Sequence, residues 1–114
     1  MKTFVNMAAQ GDLLLIRKDS LPDKLKKCRP NDRLFVVAHS ETGHHHVIED
    51  TGNVCLYEVE DDPFLWYLVV EEAEAYLRHE RPFDTHESLV ISPGIYEVRR
   101  QREYAPEGFR RVMD

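Results

Sequence analysis

The 114-residue chain has no apolar run approaching the ~18 residues that a membrane-spanning helix needs. Its first residues, MKTFVNMAAQGD, lack the long apolar stretch of a signal peptide. Cytoplasmic residence with no membrane role is therefore the expectation. Cysteine is scarce. Cys28 and Cys55 stand far apart and form no C-x-x-C pair, which predicts two free thiols rather than a disulfide framework and offers no thiol nucleophile. Positive charge is outweighed, with 15 Lys+Arg against 21 Asp+Glu and a net charge of −6, which argues against a dedicated nucleic-acid binder. Internal repeats and low-complexity tracts are absent. The 42% of hydrophobic residues is enough for a core and excludes wholesale disorder, and the length fits one domain over residues 1–114. Against this plain background stand six histidines, three of them consecutive as His44-His45-His46.

Charge is spread unevenly. Residues 49–87 carry 12 acidic and 2 basic side chains, whereas both flanking segments are slightly basic. In a small β-fold such segments become neighbouring strands, so mutual compensation is the simplest reading; an acidic face that attracts a basic partner is the other. Short strand-like runs recur between turn signals: LLLIR (13–17), RLFVVAH (33–39), HHHVIED (44–50), VCLYEVE (54–60), FLWYLVV (64–70), ESLVI (87–91) and IYEVRRQREY (95–104). AEAYLRH (73–79) reads as a strand or a short helix. Residues 19–32, with two prolines and dense charge, read as a long surface loop. Turns every 8–12 residues without intervening helices predict an all-β, single-domain antiparallel β-barrel or sandwich, with a short irregular or helical C-terminal tail.

The histidines gain meaning if 33–39 and 44–50 form a hairpin closed by Ser40-Glu41-Thr42-Gly43. That register sets His39 opposite His44, Val37 opposite His46 and Phe35 opposite Ile48, all on one face, with Asp50 further along it. Facing Cβ atoms lie about 4.5–5.5 Å apart, within reach of one ion. Imidazoles with a carboxylate suit zinc, iron(II), nickel or manganese, which makes His44, His46, His39 and Asp50 candidate metal ligands. His86, just before the 87–91 strand, joins them if the fold brings it near, and His79 is a more distant candidate. His45 faces away. The bland alternative is a set of solvated histidines at a hairpin end.

Gly43-His44-His45-His46 followed by Asp50, with Pro93-Gly94-Ile95-Tyr96 before a later strand, resembles the cupin superfamily of small metal-holding β-barrels. The resemblance implies His44, His46 and Asp50 as ligands. The chain departs from the cupin pattern at Ala38, where cupins carry glycine, at Asp50, where they carry glutamate, and after Pro93-Gly94, where no histidine follows. The chain as a whole also resembles small uncharacterised prokaryotic and phage proteins that combine Q-G-D-x-L-L-I (Gln10–Ile16), T-G-H-x-H (Thr42–His46) and R-Q-R-E-Y (Arg100–Tyr104).

Near the C-terminus, alternation places Tyr96, Val98, Arg100, Arg102 and Tyr104 on one face, and this arginine–aromatic strip is a candidate partner surface. Three functions compete. One is a metal-binding barrel with its ion at the barrel mouth, acting as a Lewis acid or oxygen activator on a small-molecule ligand if it is an enzyme. Another is a non-catalytic adaptor that docks a protein or RNA partner, or a second copy of itself, through Arg100, Arg102 and Tyr104. The third is an acid-sensitive module whose histidines gain charge below about pH 6.5. No general base or nucleophile stands out beyond the histidine cluster.

Overall fold

The computed structural model describes residues 2–38, 46–79, 86–100, 102–105 and 108–111, with backbone only for Ala38, His79, His86, Glu87 and the last two segments. Every regular element is a strand: β1 (Lys2–Thr3), β2 (Met7–Gln10), β3 (Leu13–Lys18), β4 (Leu25–Lys27), β5 (Leu34–Ala38), β6 (His46–Glu49), β7 (Val54–Val59), β8 (Asp62–Val70), β9 (Ala75–His79), β10 (His86–Ile91), β11 (Gly94–Arg100), β12 (Arg102–Ala105) and β13 (Gly108–Arg111). They build a five-stranded sheet, β1-β10-β9-β6-β5, and a six-stranded sheet, β2-β3-β11-β8-β7-β4; β12 and β13 pair only with each other. Neither sheet closes on itself, so the fold is an open sandwich rather than a barrel.

The all-β expectation holds, with four refinements. Pairing is antiparallel except between β1 and β10, which run parallel with Lys2 opposite Leu89. The 73–79 segment forms the strand β9 over Ala75–His79, and the loop 19–32 contains the short strand β4. The described residues of the C-terminal tail, 102–105 and 108–111, pair as a β-ribbon rather than forming a helix or irregular chain, with Arg102 opposite Arg111 and Tyr104 opposite Phe109. A helix there would have to accommodate Pro106 and Gly108, whereas a ribbon sets two aromatics as a cross-strand pair. No helix among the described residues is long and apolar enough to cross a membrane.

Alternate side chains of each strand form the core. Leu13 and Leu15 of β3, Leu56 of β7, Leu68 of β8, and Tyr96 and Val98 of β11 meet Phe35, Ile48, Leu77, Leu89 and Ile91 from the opposite sheet, all buried. The predicted hairpin register holds at its inner end, where Phe35 pairs with Ile48 and Val36 with Val47. Beyond Val36 it shifts, and His46 stands opposite Ala38 rather than Val37. A bulge places two residues of one strand against one of the other. Val37 and His46 are both still buried, so the face assignment survives the slip.

Pro93-Gly94, which resembled a cupin element, is pinned as a turn. Arg17 Nη2 donates to Pro93 O at 2.8 Å, and a Cβ on Gly94 would lie 2.8 Å from that same nitrogen. The guanidinium also lies over the Tyr96 ring, 5.5 Å from its centroid.

Candidate functional site

At one end of the sandwich a polar network is sealed into the core. Gln10 is the last residue of β2, and the two-residue turn Gly11-Asp12 leads into β3. Gly11 has φ 55, a left-handed conformation that glycine adopts without strain. That turn places Asp12, 3% exposed, at the mouth of the core. His46 opens β6 from the facing sheet and has no exposed surface, and Arg100 closes β11 and is 9% exposed.

The hydrogen bonds form a chain. Gln10 Nε2 donates to Leu77 O at 2.9 Å, so this one side chain ties β2 of one sheet to β9 of the other. That contact turns Gln10 Oε1 toward His46, 2.9 Å from Nδ1. An amide oxygen only accepts, so Nδ1 carries a proton. The other ring nitrogen, Nε2, lies 2.9 Å from Asp12 Oδ1, and Asp12 Oδ2 lies 3.2 Å from Arg100 Nε. Both imidazole nitrogens thus face acceptors, and the carboxylate sits between a ring and a guanidinium. Charged groups are held inside an apolar sandwich only when paired in this manner.

Backbone register draws two further histidines to this end. His46 stands opposite His79, and His79 opposite His86, so the three form one cross-strand row over β6, β9 and β10. His39 and His44, expected to meet across the hairpin turn, and His45, lie outside the described residues. Among the described residues no group of three or more His, Cys, Asp or Glu side chains is arranged to hold a metal.

Asp50 sits apart from this row. It is four residues beyond His46, about 13 Å along a strand, and its Oδ1 accepts from the Gly52 amide at 3.0 Å. Arg100, expected on an exposed strip, is buried because alternation along β11 sets it on the same face as Tyr96 and Val98, which is the core face. Side chains of Arg102 and Tyr104 lie outside the description. Charge compensation is found, but locally: Arg99 donates to Glu97 of its own strand at 3.0 Å, and Lys18 stands 3.5 Å from the same buried carboxylate. Glu97 in turn raises the affinity of the Arg99 guanidinium for its proton.

Gln10 and Asp12 were missed as partners of His46. The available signal was Q-G-D, two polar residues flanking a glycine immediately before LLLI, in a position where a turn must hand polar groups to the edge of a core.

Both cysteines are free thiols. Burial, reinforced by the Glu58 carboxylate, pushes the Cys28 thiol from 9.0 up to about 11. A shift of this size cuts the thiolate fraction at pH 8 by about a hundredfold. Alkylation of Cys28 by iodoacetamide is therefore expected to be about two orders of magnitude slower in folded than in denatured protein, with a pH midpoint near 11. Because the folded value is the higher one, the associated stability is fully present below pH 9 and is lost as pH rises through 11. A midpoint near 9 in the folded protein would contradict this.

Fold and site together define a class: an open β-sandwich whose histidine-bearing end holds a buried Gln–His–Asp–Arg network. A family model described as "Domain of unknown function (DUF8820)" matches residues 9–101, and the chain belongs to that family. The matched segment contains the entire network and all six histidines, and it stops before β12 and β13. No curated protein and no solved structure matches the chain.

Proposed function

We propose that this protein is a metal-binding β-sandwich, with a divalent transition metal held at the histidine end. The observation that carries this reading is the cross-strand row His46–His79–His86, with the Asp12 carboxylate 2.9 Å from the ring of its first member. His46 and Asp12, whose Nε2 and Oδ1 lie 2.9 Å apart, would be the first two residues to hold the ion, as imidazole and carboxylate donors. Gln10 would then orient the imidazole through Nδ1 and Arg100 would hold the second carboxylate oxygen, the supporting roles that outer groups play around metals. His39 and His44 are candidate further ligands, contributed by the connection between β5 and β6. Asp50 is not part of this set. Imidazole and carboxylate donors suit zinc, iron(II), nickel or manganese. With an open coordination position the ion would act as a Lewis acid on a small molecule. The docking alternative keeps only Arg102 and Tyr104, since Arg100 is engaged with Asp12.

The test is metal analysis of protein purified without an affinity tag and reconstituted with each of the four ions. At least about half an equivalent of one ion per chain is expected, and His79→Ala/His86→Ala should lose it while circular dichroism stays unchanged. Less than about a tenth of an equivalent of every ion, or full retention by the double variant, would overturn the reading.

A further inference from the structure

The other end of the sandwich carries a cleft that the histidine site does not use. It has a volume of about 570 Å³ and is lined by Lys27 at the end of β4, Cys28 and Arg29 just after it, Phe35 of β5, Asp50 after β6, and Val54 at the start of β7. Sites for small organic ligands run from about 300 to 1,000 Å³, with mostly apolar walls and a few placed polar groups. Phe35 and Val54 are buried and make an apolar floor. Lys27 and Arg29 are exposed. The single carboxylate, Asp50, is occupied by the Gly52 amide.

The walls are fixed before any ligand arrives. Cys28 N donates to Leu56 O at 2.8 Å, and Asp50 N donates to Arg33 O at 2.7 Å. Asn31 and Leu34 exchange two backbone hydrogen bonds across Asp32 and Arg33. Those two residues have φ 50 and 63, the left-handed region that a residue such as Arg33 rarely adopts. Such strain persists where the surroundings over-determine the backbone, and it concentrates around binding sites. The dense charge of the 19–32 loop, otherwise without a role, thereby acquires one: it brings two cations to the rim of an apolar recess.

From this geometry we infer that the cleft is a second binding site, for a small organic anion with an apolar body and one carboxylate. The apolar portion would lie on Phe35 and Val54, and the carboxylate would meet Lys27 and Arg29. Arginine offers a fork that matches a carboxylate in two hydrogen bonds, with lysine adding a point charge. The protonated Cys28 thiol is a neutral wall here, not a nucleophile.

The experiment is a titration of the full chain followed by backbone amide NMR shifts, using 2-naphthoate, the uncharged 2-naphthalenemethanol, and inorganic phosphate. Naphthoate is expected to bind with shifts confined to the cleft residues, and the alcohol to bind at least about tenfold more weakly. Phosphate alone should move these resonances little, because it lacks the apolar body; phosphate binding as tight as naphthoate would overturn the carboxylate assignment. Lys27→Glu/Arg29→Glu alters only exposed side chains, so it should fold normally and lose at least about tenfold in naphthoate affinity. The inference fails if no cleft shift appears by about 5 mM naphthoate, if shifts centre elsewhere, or if the charge reversal leaves affinity unchanged. The cleft and the histidine row lie at opposite ends of β6, so either site can fail its test while the other stands.

Discussion

Asp12→Ala is expected to remove about 3–5 kcal/mol of folding stability, because it takes a carboxylate away from two buried groups at once. The Arg100 guanidinium would lose the carboxylate 3.2 Å from its Nε, and His46 Nε2 would lose an acceptor at 2.9 Å inside a site with no solvent access. Breaking one member of a buried charged set costs more than the set contributes net, since the survivors keep their desolvation penalty with less to offset it. Asp12→Asn preserves shape and one acceptor and should fall between wild type and Asp12→Ala. Urea unfolding of metal-free protein provides the measurement, with the midpoint falling and the slope unchanged. The pair variant Asp12→Ala/Arg100→Met, which removes both charges, should lose less than the sum of its single changes. A loss below about 1 kcal/mol for Asp12→Ala would mean that water replaces the carboxylate and that the network is not sealed.

Tyr96→Ala should cost a comparable amount, about 3–5 kcal/mol, for a different reason. Tyr96 is the largest of the fully buried side chains and sits on β11, between Arg17 of β3 and Leu68 of β8. Its ring meets Phe4 edge to face, with centroids 5.7 Å apart and planes at 66°. Its hydroxyl donates to Ser92 O at 2.6 Å and accepts from Arg17 Nη1 at 3.3 Å. Truncation would leave a large void in the middle of the six-stranded sheet and release the Ser92-Pro93-Gly94 turn. Tyr96→Phe isolates the hydroxyl and is expected to lose only about 1 kcal/mol. Equal losses for the two variants would show that the turn contacts, rather than ring packing, carry the effect. Thermal and urea unfolding separate these outcomes.

Much of the fold was legible because period-two alternation between turn residues leaves little freedom. LLLIR, VCLYEVE and IYEVRRQREY announce strands, and the pairing of Phe35 with Ile48 follows from the hairpin residue count. The choice of sandwich over barrel was not legible, since it depends on strand order. β11 inserts between β3 and β8, pairings made across long stretches of chain that no local pattern encodes. The same limit governed the site. His46 was recognised as inward-facing from its spacing to Ile48, and the bulge after Val36 did not change that. Its immediate partners come from the far sheet, so Gln10 and Asp12 were hidden at separations of 36 and 34 positions along the chain. Asp50 was over-read for the opposite reason. Sharing a face on a strand is a statement about direction, and four residues of extended chain carry the carboxylate out of reach.

The position of β11 also bears on how the protein is made. The six-stranded sheet is two separate pieces, β2-β3 and β8-β7-β4, until residues 94–100 arrive to bridge them. The five-stranded sheet waits similarly, because β1 at the extreme N-terminus pairs with β10. Neither sheet is complete until β10 and β11 have joined it, and the earlier strands stand with open edges until then. For a topology so rich in distant pairings, folding in the millisecond-to-second range is expected. Arg100, the last residue of that bridging strand, stands opposite Leu13 and 3.2 Å from Asp12, so the buried charge pair requires β11 to be seated against β3.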